Sequence, residues 1–451
     1  MRFPAAPPVV DKVLGSVQER QDQEKLLAIL TQFGPTDNKA RYLHWDELRY
    51  KEPPVGFTAE EYWAGIKFAR NKLLRKLPFA DKVQRPFLFG TPEPVLRMLY
   101  EIDRIVNGRM ETAVSLTDMP AQHAYLLNSV LEEAINSSQL EGASTTRSAA
   151  KEMLRQNRPP RDRSEQMIFN NYQAMQFVQA YKDERLTPDV ICELHRIVTD
   201  KTLEDPDDAG QMRTADDAVE VIDKQGHILY VPPKAEELPH RLTLLCAFAN
   251  GSDTAVFVHP LIRAILLHFM LAYDHPFVDG NGRTARALFY WSMARAQYRL
   301  LEFVSISQII KEAPAQYARA FLYTETDGND TTYFIIHQLR VIQRALEALN
   351  TYLGQKARAL QSAAQLLAGT RWEGVLNERQ LALLEYALEQ PTAVFRIKTH
   401  QNYHRVTYQT ARTDLLQMAE EWQLLNKVKQ GKTFLFLPPP DLRQRLEDLR
   451  G

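Results

Sequence analysis

Residues 267–291 read LHFMLAYDHPFVDGNGRTARALFYW, and the order of residue types in this stretch frames the rest of the chain. An apolar helical run leads into His275, and Pro276 cannot continue it. A short loop, Val278 to Gly282, follows before Arg283 opens a second helix. The loop thus sits at a helix N-terminus, where unpaired N–H groups and the positive end of the helix dipole favour an anion. Gly280 and Gly282 remove side chains, so backbone can approach phosphate oxygens closely. Arg283 and Arg286, on neighbouring faces of the first turns, can fork onto phosphates. Asp279 supplies a hard oxygen ligand beside that anion site, suited to Mg²⁺ bridging two phosphates. His275 is the one group in the loop whose titration lets it act as a base near neutral pH. Singly, each feature has an ordinary reading as a turn, a solvated face or a helix cap. Together, a base, a metal ligand, an anion loop and two cations fall in sterically sensible order.

The chain has 451 residues, 45% hydrophobic and 25% charged, which fits a globular protein of about two or three domains. Lys+Arg 55 against Asp+Glu 56 leaves a net charge of -1, so no global basic field draws the chain to nucleic acid or anionic membrane. Cys192 and Cys246 are too few for a disulfide framework or a cysteine zinc site. The prolines of MRFPAAPPVV oppose a signal peptide, and Leu261 to Tyr273, the most apolar stretch, is too short to span a bilayer. A soluble cytoplasmic protein with no membrane partner is expected.

The expected fold is mainly α. Residues 41–110 read as helical patterns broken by prolines, including a helix after Thr58 that carries Tyr62, Ile66, Ala69 and Leu73. From 120 to 350 the helical period predicts helices over 121–138, 145–157, 164–182, 187–200, 234–250, 258–273, 282–297, 313–325 and 330–352. VEVIDKQGHILYVPP, 219–233, alternates instead about Lys224-Gln225-Gly226 and predicts a β-hairpin. Residues 353–370 read as a linker helix. Helices over 377–390, 397–404 and 407–423, then a small hairpin in VKQGKTFLFLP, have the order of a winged-helix domain (α+β).

His275-Pro276-Phe277-Val278-Asp279-Gly280-Asn281-Gly282-Arg283-Thr284-Ala285-Arg286 resembles the Fic family signature, HxFx(D/E)GNGRxxR, with every fixed position present. Members mostly transfer AMP from ATP to a hydroxyl of a target protein. The resemblance implies a Fic-type helical core in which His275 takes the proton of a Tyr, Thr or Ser hydroxyl and Phe277 holds the loop. It further implies that Asp279 binds Mg²⁺, that Gly280, Asn281 and Gly282 cradle the α- and β-phosphates, and that Arg283 and Arg286 hold the β- and γ-phosphates. Ser137-Ser138-Gln139-Leu140-Glu141-Gly142 is similar to the family's inhibitory motif, (S/T)xxxE(G/N). In that reading Glu141 and Ser137 engage Arg286 in place of the γ-phosphate; a plain helix end with a Gly stop is the other reading. The hairpin, through Val219, Val221, Ile228 and Tyr230, corresponds to a flap that pins the target backbone, or else covers the core. Arg213 and His259-Pro260 also resemble family positions and read as structural.

The expected division is an N-terminal helical extension 1–115 and a Fic domain 116–352 with inhibitory helix 121–142, both resting on the resemblance, then the linker helix 353–370 and the winged-helix domain 371–451 read from the helical pattern. Expected partners are ATP, a target protein and the chain itself as a substrate, and members with this inhibitory arrangement often form homodimers. DNA is a further candidate through RIKTHQNYHR, which carries Arg396, Lys398, His400, His404 and Arg405 without an acid. Three functions stand at this point: an adenylyltransferase restrained by Glu141, an enzyme that removes AMP, and a winged-helix regulator with a nucleotide-sensing core.

Overall fold

The computed structural model describes residues 2–108, 119–156, 158–222, 226–252, 257–368, 374–404, 406–431 and 433–448. Helices Val10–Glu19 (α1), Gln23–Thr31 (α2), Trp45–Leu48 (α3) and Ala59–Asn71 (α4) open the chain. A hairpin of Arg75–Ala80 (β1) and Pro86–Phe89 (β2) precedes Glu93–Gly108 (α5) and Met119–Leu140 (α6). Arg147–Gln156 (α7), Arg163–Ala180 (α8) and Pro188–Thr199 (α9) follow. Then come the strands Val221–Ile222 (β3) and Ile228–Tyr230 (β4), and the helices Leu238–Ala249 (α10), Pro260–Asp274 (α11) and Asn281–Arg295 (α12). Ile306–Glu312 (α13), Pro314–Thr326 (α14) and Thr332–Leu367 (α15) complete this series. The C-terminal part contains Glu378–Glu389 (α16), Ile397–His404 (α17), Tyr408–Leu416 (α18), Asn426–Gln430 (β5), Thr433–Leu437 (β6) and Leu442–Asp448 (α19). The fold is mainly helical, as the periodicity predicts, and the predicted helices between 121 and 297 appear within a few residues of their expected ends.

The chain divides into two compact units. The first comprises Met1–Val106, Glu132–Ser144 and Asp162–Ala345; the second comprises Asn107–Leu131, Thr145–Arg161 and Leu346–Gly451. At the centre of the first lie α11 and α12, whose residues are nearly all buried. α11 is apolar nearly all round, and such a helix is stable only when surrounded; α8, α9 and α10 pack around the pair.

Three expectations for the first unit need correction. The helix after Thr58 is present and carries a capping box between Thr58 and Glu61, but it stops at Asn71, leaving Leu73 exposed. The chain then turns into β1 and β2, a strand pair in a region read as helical. Pro78 and Pro86 mark strand positions here rather than helix stops, which sheet edges tolerate. The outer edge of β2 is closed by Leu88, whose N–H donates to the Asn329 carbonyl while its own carbonyl accepts from Thr331. Thirdly, α13 occupies residues for which no helix was predicted. The linker helix expected over 353–370 is not separate either: α15 runs unbroken through Gly354, a single glycine being tolerated at a cost of about 1 kcal/mol.

In the second unit, α16, α17 and α18 are followed by the β5–β6 hairpin, in the predicted order. Their core joins Leu384, Ala411, Leu415, Met418, Leu424 and Phe436. Phe395 adds a third strand position by exchanging both backbone hydrogen bonds with Phe436. Asp414, an acid counted on the predicted helix, is buried and accepts from His400, Arg379 and Asn377. These contacts hold its carboxyl far below the usual range against the opposing effect of burial. Lys224, Gln225, Arg405 and the expected boundaries at 115/116 and 370/371 lie outside the described residues.

Candidate active site

The site is built where α11 ends. Pro276 stops the helix, and His275 caps it in the left-handed conformation, φ 48° and ψ 58°. Asn281 ties the loop into a ring: its Oδ1 accepts from the Phe277 N–H at 3.0 Å and its Nδ2 donates to the Phe277 carbonyl at 2.7 Å. That side chain is therefore engaged within the loop, and the Asn281 backbone N–H at the start of the helix is turned to a ligand position. Phe277 is fully buried and lies flat on the His195 ring, 3.7 Å between centroids. His195 Nδ1 accepts from the Gly210 N–H at 3.0 Å, which fixes the proton on Nε2, and Nε2 donates to the Asp279 carbonyl at 2.9 Å. Burial drives the His195 imidazole down to about 4, so it stays neutral. Gly280 is required by its surroundings: its φ is 81°, and a Cβ there would meet Thr199 Cγ2 at 2.6 Å.

His275 is presented by several contacts at once. Its Nδ1 lies 3.2 Å from the Ala272 carbonyl, which takes the Nδ1 proton and leaves the Nε2 lone pair free as a base. Burial lowers its affinity for a second proton, partly offset by the Ala272 carbonyl and by Glu141. Arg213 holds the backbone: its Nε donates to the His275 carbonyl at 2.8 Å and its N–H to the Pro276 carbonyl at 2.9 Å. The same guanidinium donates to the Pro233 carbonyl at the base of the hairpin, which supports the structural reading of Arg213. His259 caps α11 and pairs with Asp103 at 3.0 Å, again away from the loop. Just before His275, buried Asp274 pairs with Arg241 at 2.7 Å. Burial nonetheless pushes its carboxyl up to about 6.

The first turn of α12 provides the anion cradle. The N–H groups of Asn281, Gly282 and Arg283 have no acceptor within the helix, whereas that of Gly280 is taken by Asp279 Oδ1 at 2.5 Å. Arg283 is buried, with one nitrogen donating to the Val198 carbonyl at 3.0 Å and its Nε–H without a partner among the described residues. Arg286 is buried and occupied: its Nε donates to Ser137 Oγ at 2.8 Å, and Nη2 donates to the Ser137 carbonyl at 3.1 Å and to Glu141 Oε1 at 2.7 Å. The Glu141 carboxylate lies against Gly282, where an added Cβ would stand 2.2 Å from Oε1. The structure thus brings Ser137, Glu141 and Arg286 together, 145 residues separating the last two. Glu133, one helix turn from Ser137, is also buried and accepts from Ser305 Oγ at 2.7 Å, the Ser307 N–H at 3.1 Å and Ser307 Oγ.

The Asp279 side chain is half exposed, with Oδ2 3.8 Å from Arg283 and 3.9 Å from Arg163. A single hard carboxylate beside a phosphate cradle fits Mg²⁺, which is commonly held by one or two carboxylates together with substrate phosphates. In the hairpin, Val221 pairs with Tyr230 and Ile222 with Ile228. Tyr230 rests on Tyr273 of α11 at 4.7 Å, while Ile222 and Ile228 are exposed. Val219 stands outside the ladder because its N–H bonds back to the Asp217 carbonyl. His195 and Glu133 escaped sequence reasoning: each sits on an ordinary helical pattern, and the groups that reveal them are far away in the chain.

Residues 185–293 match the family model described as Fic/DOC. Among curated proteins, the chain is 37% identical over 117 residues to the protein adenylyltransferase Fic of Nematostella vectensis, 26% of this chain and 25% of that protein. It is 30% identical over 219 residues to the protein adenylyltransferase Fic of Drosophila grimshawi, 48% of this chain and 41% of that protein. The chain therefore spans well under half the length of these relatives. A solved Fic family protein from Desulfovibrio desulfuricans G20 shares the fold at a TM-score of 0.51 and 16% identity, over 77% of this chain and 96% of that one. No described helix is long and apolar enough to cross a membrane.

Proposed function

We propose that the chain transfers AMP from ATP to a Tyr, Thr or Ser hydroxyl of a target protein or of itself, and that Glu141 restrains the reaction. The observation that carries this reading is a fixed imidazole with its Nε2 free, set at the mouth of an anion cradle that a carboxylate of the same chain already enters. Binding a nucleotide alone needs no base, so the arrangement favours transfer over sensing. His275 Nε2 takes the proton as the hydroxyl oxygen bonds to the α-phosphorus. The bond from that phosphorus to the bridging oxygen breaks, and pyrophosphate leaves. The N–H groups of Asn281 and Gly282, with Arg283, counter the charge on the phosphates. Asp279 would hold Mg²⁺, which supplies charge neutralisation to the phosphates when bound. Glu141 on Arg286 competes with the γ-phosphate, so ATP would bind with its phosphates turned from in-line attack. Its attachment to the same chain gives this competition a high effective concentration. The exposed β3–β4 hairpin is the surface on which an extended target segment would lie.

Labelled ATP tests the reaction class. With Glu141→Gly protein and Mg²⁺, label at the α-phosphate is expected to stay on protein and label at the γ-phosphate to be released. Retention of the γ-label instead would identify phosphoryl transfer and end the AMP assignment.

A further inference from the structure

Carbonyls at the end of α9 and just beyond it are claimed by side chains from two other helices. Asn170 of α8 donates to the Val198 and Asp200 carbonyls at 3.3 and 2.7 Å. Arg283 of α12 donates to the Val198 carbonyl, and Arg163, the first residue of α8, donates through Nε to the Thr202 carbonyl at 3.0 Å. The Val198 carbonyl in the last turn of α9 lacks an intrahelical partner and attracts a cation, and the Thr202 carbonyl just beyond the helix holds the second arginine, so the two carbonyls bracket two guanidinium groups. Each bracketed arginine turns a remaining nitrogen toward the same atom: Asp279 Oδ2 lies 3.8 Å from Arg283 Nη2 and 3.9 Å from Arg163 Nη2. These separations exceed a direct hydrogen bond, and the intervening space is lined by one carboxylate oxygen and two cations. Arg163 differs from its companion in being 64% exposed at its side chain, where Arg283 is 1% exposed. It differs from Arg286 in having no contact with Glu141 among those that hold the brake.

The geometry points to Arg163 as a third cation of the nucleotide site, binding the polyphosphate oxygens beyond the α-phosphate, which leave as pyrophosphate. This rests on the adenylyltransferase reading and adds a residue that the signature does not contain. Asp279 would hold a divalent cation that neutralises phosphate charge, and the two guanidinium groups beside its carboxylate would bind phosphate oxygens directly. Arg163 then contributes equally whether or not Glu141 occupies Arg286, and it holds diphosphate as firmly in the restrained protein as in the released one. The bracket on the Thr202 carbonyl keeps an exposed arginine pre-oriented, so little side-chain freedom is lost on binding.

The test is calorimetric titration of the full chain with ADP and Mg²⁺, using wild type, Arg163→Gln and Arg163→Lys, in the native and Glu141→Gly backgrounds. Loss of one charge-assisted contact predicts about tenfold weaker binding or more for Arg163→Gln, with partial recovery in Arg163→Lys and the same ratio in both backgrounds. The melting temperature without nucleotide is expected to stay at the wild-type value. ADP binding by Arg163→Gln equal to that of wild type overturns the assignment. So does a weakening matched by a lower nucleotide-free melting temperature in both variants, which would make Arg163 a purely structural residue. Absence of ADP binding by wild type itself would instead defeat the adenylyltransferase reading on which the assignment depends.

Discussion

His275 adopts a backbone conformation that a residue with a Cβ reaches only at a cost of roughly 1–3 kcal/mol, and the surrounding contacts account for its persistence. Its N–H closes α11 on Leu271, its carbonyl is held by Arg213, and its Nδ1 is held by Ala272. The Ala272 contact fixes which tautomer is present and leaves Nε2 as the proton acceptor of the proposed reaction. Burial favours the neutral ring, so the folded imidazole takes up its second proton below the ordinary value of 6.5. In the proposed reaction the neutral form is the base. Transfer by Glu141→Gly protein is therefore expected to stay level as pH falls through neutrality and to decline only below about 6.5. Removing the Glu141 charge, which favours the imidazolium, moves that decline further toward acid. Rates measured from pH 5 to 9 check this; an acid limb centred above 7 would contradict it.

At the scale of elements, α6 matters less for its own sequence than for how it is fastened. Glu133 accepts hydrogen bonds at the first turn of α13, Ser138 Oγ donates to the Ala134 and Met167 carbonyls, and Lys311 reaches Gln139. These contacts hold Ser137 and Glu141 against Arg286. Glu133→Gln removes the charge from its bonds to Ser305 and Ser307, and self-modification is expected to rise above wild type while staying below that of Glu141→Gly. An unchanged rate would show that the helix needs no such fastening. The candidate catalytic loop was legible because its chemistry is contiguous: helix stop, glycines and arginines follow one another between His275 and Arg286. Glu141 was legible as a motif. Its fastening was not, since Glu133 meets Ser305 across 172 residues and His195 meets Asp279 across 84. The β1–β2 pair was missed for a related reason: its prolines resemble helix stops, and the bonds that close its edge come from residues 329–331.

For the molecule as a whole, the N-terminal extension belongs to the same compact unit as the catalytic loop. Tyr42 donates to buried Asp330 at 2.5 Å, Arg70 to Tyr333 at 2.7 Å, and Lys67 pairs with Asp327 at 2.7 Å. The segment from 376 to 446 instead closes a core of its own. Deleting 371–451 is thus expected to leave self-modification by Glu141→Gly protein within about twofold, whereas deleting 1–71 strips partners from buried Asp330, Tyr333 and Asp327 and should leave no soluble folded enzyme. Loss of transfer in a folded, C-terminally truncated protein would contradict the first expectation. The proposed AMP transfer by His275 is restrained by Glu141. Its most direct test is the intact mass of wild type, Glu141→Gly and Glu141→Gly/His275→Ala after incubation with ATP and Mg²⁺. A gain of AMP is expected in Glu141→Gly alone. A gain that persists without His275, or no gain in Glu141→Gly, would contradict it.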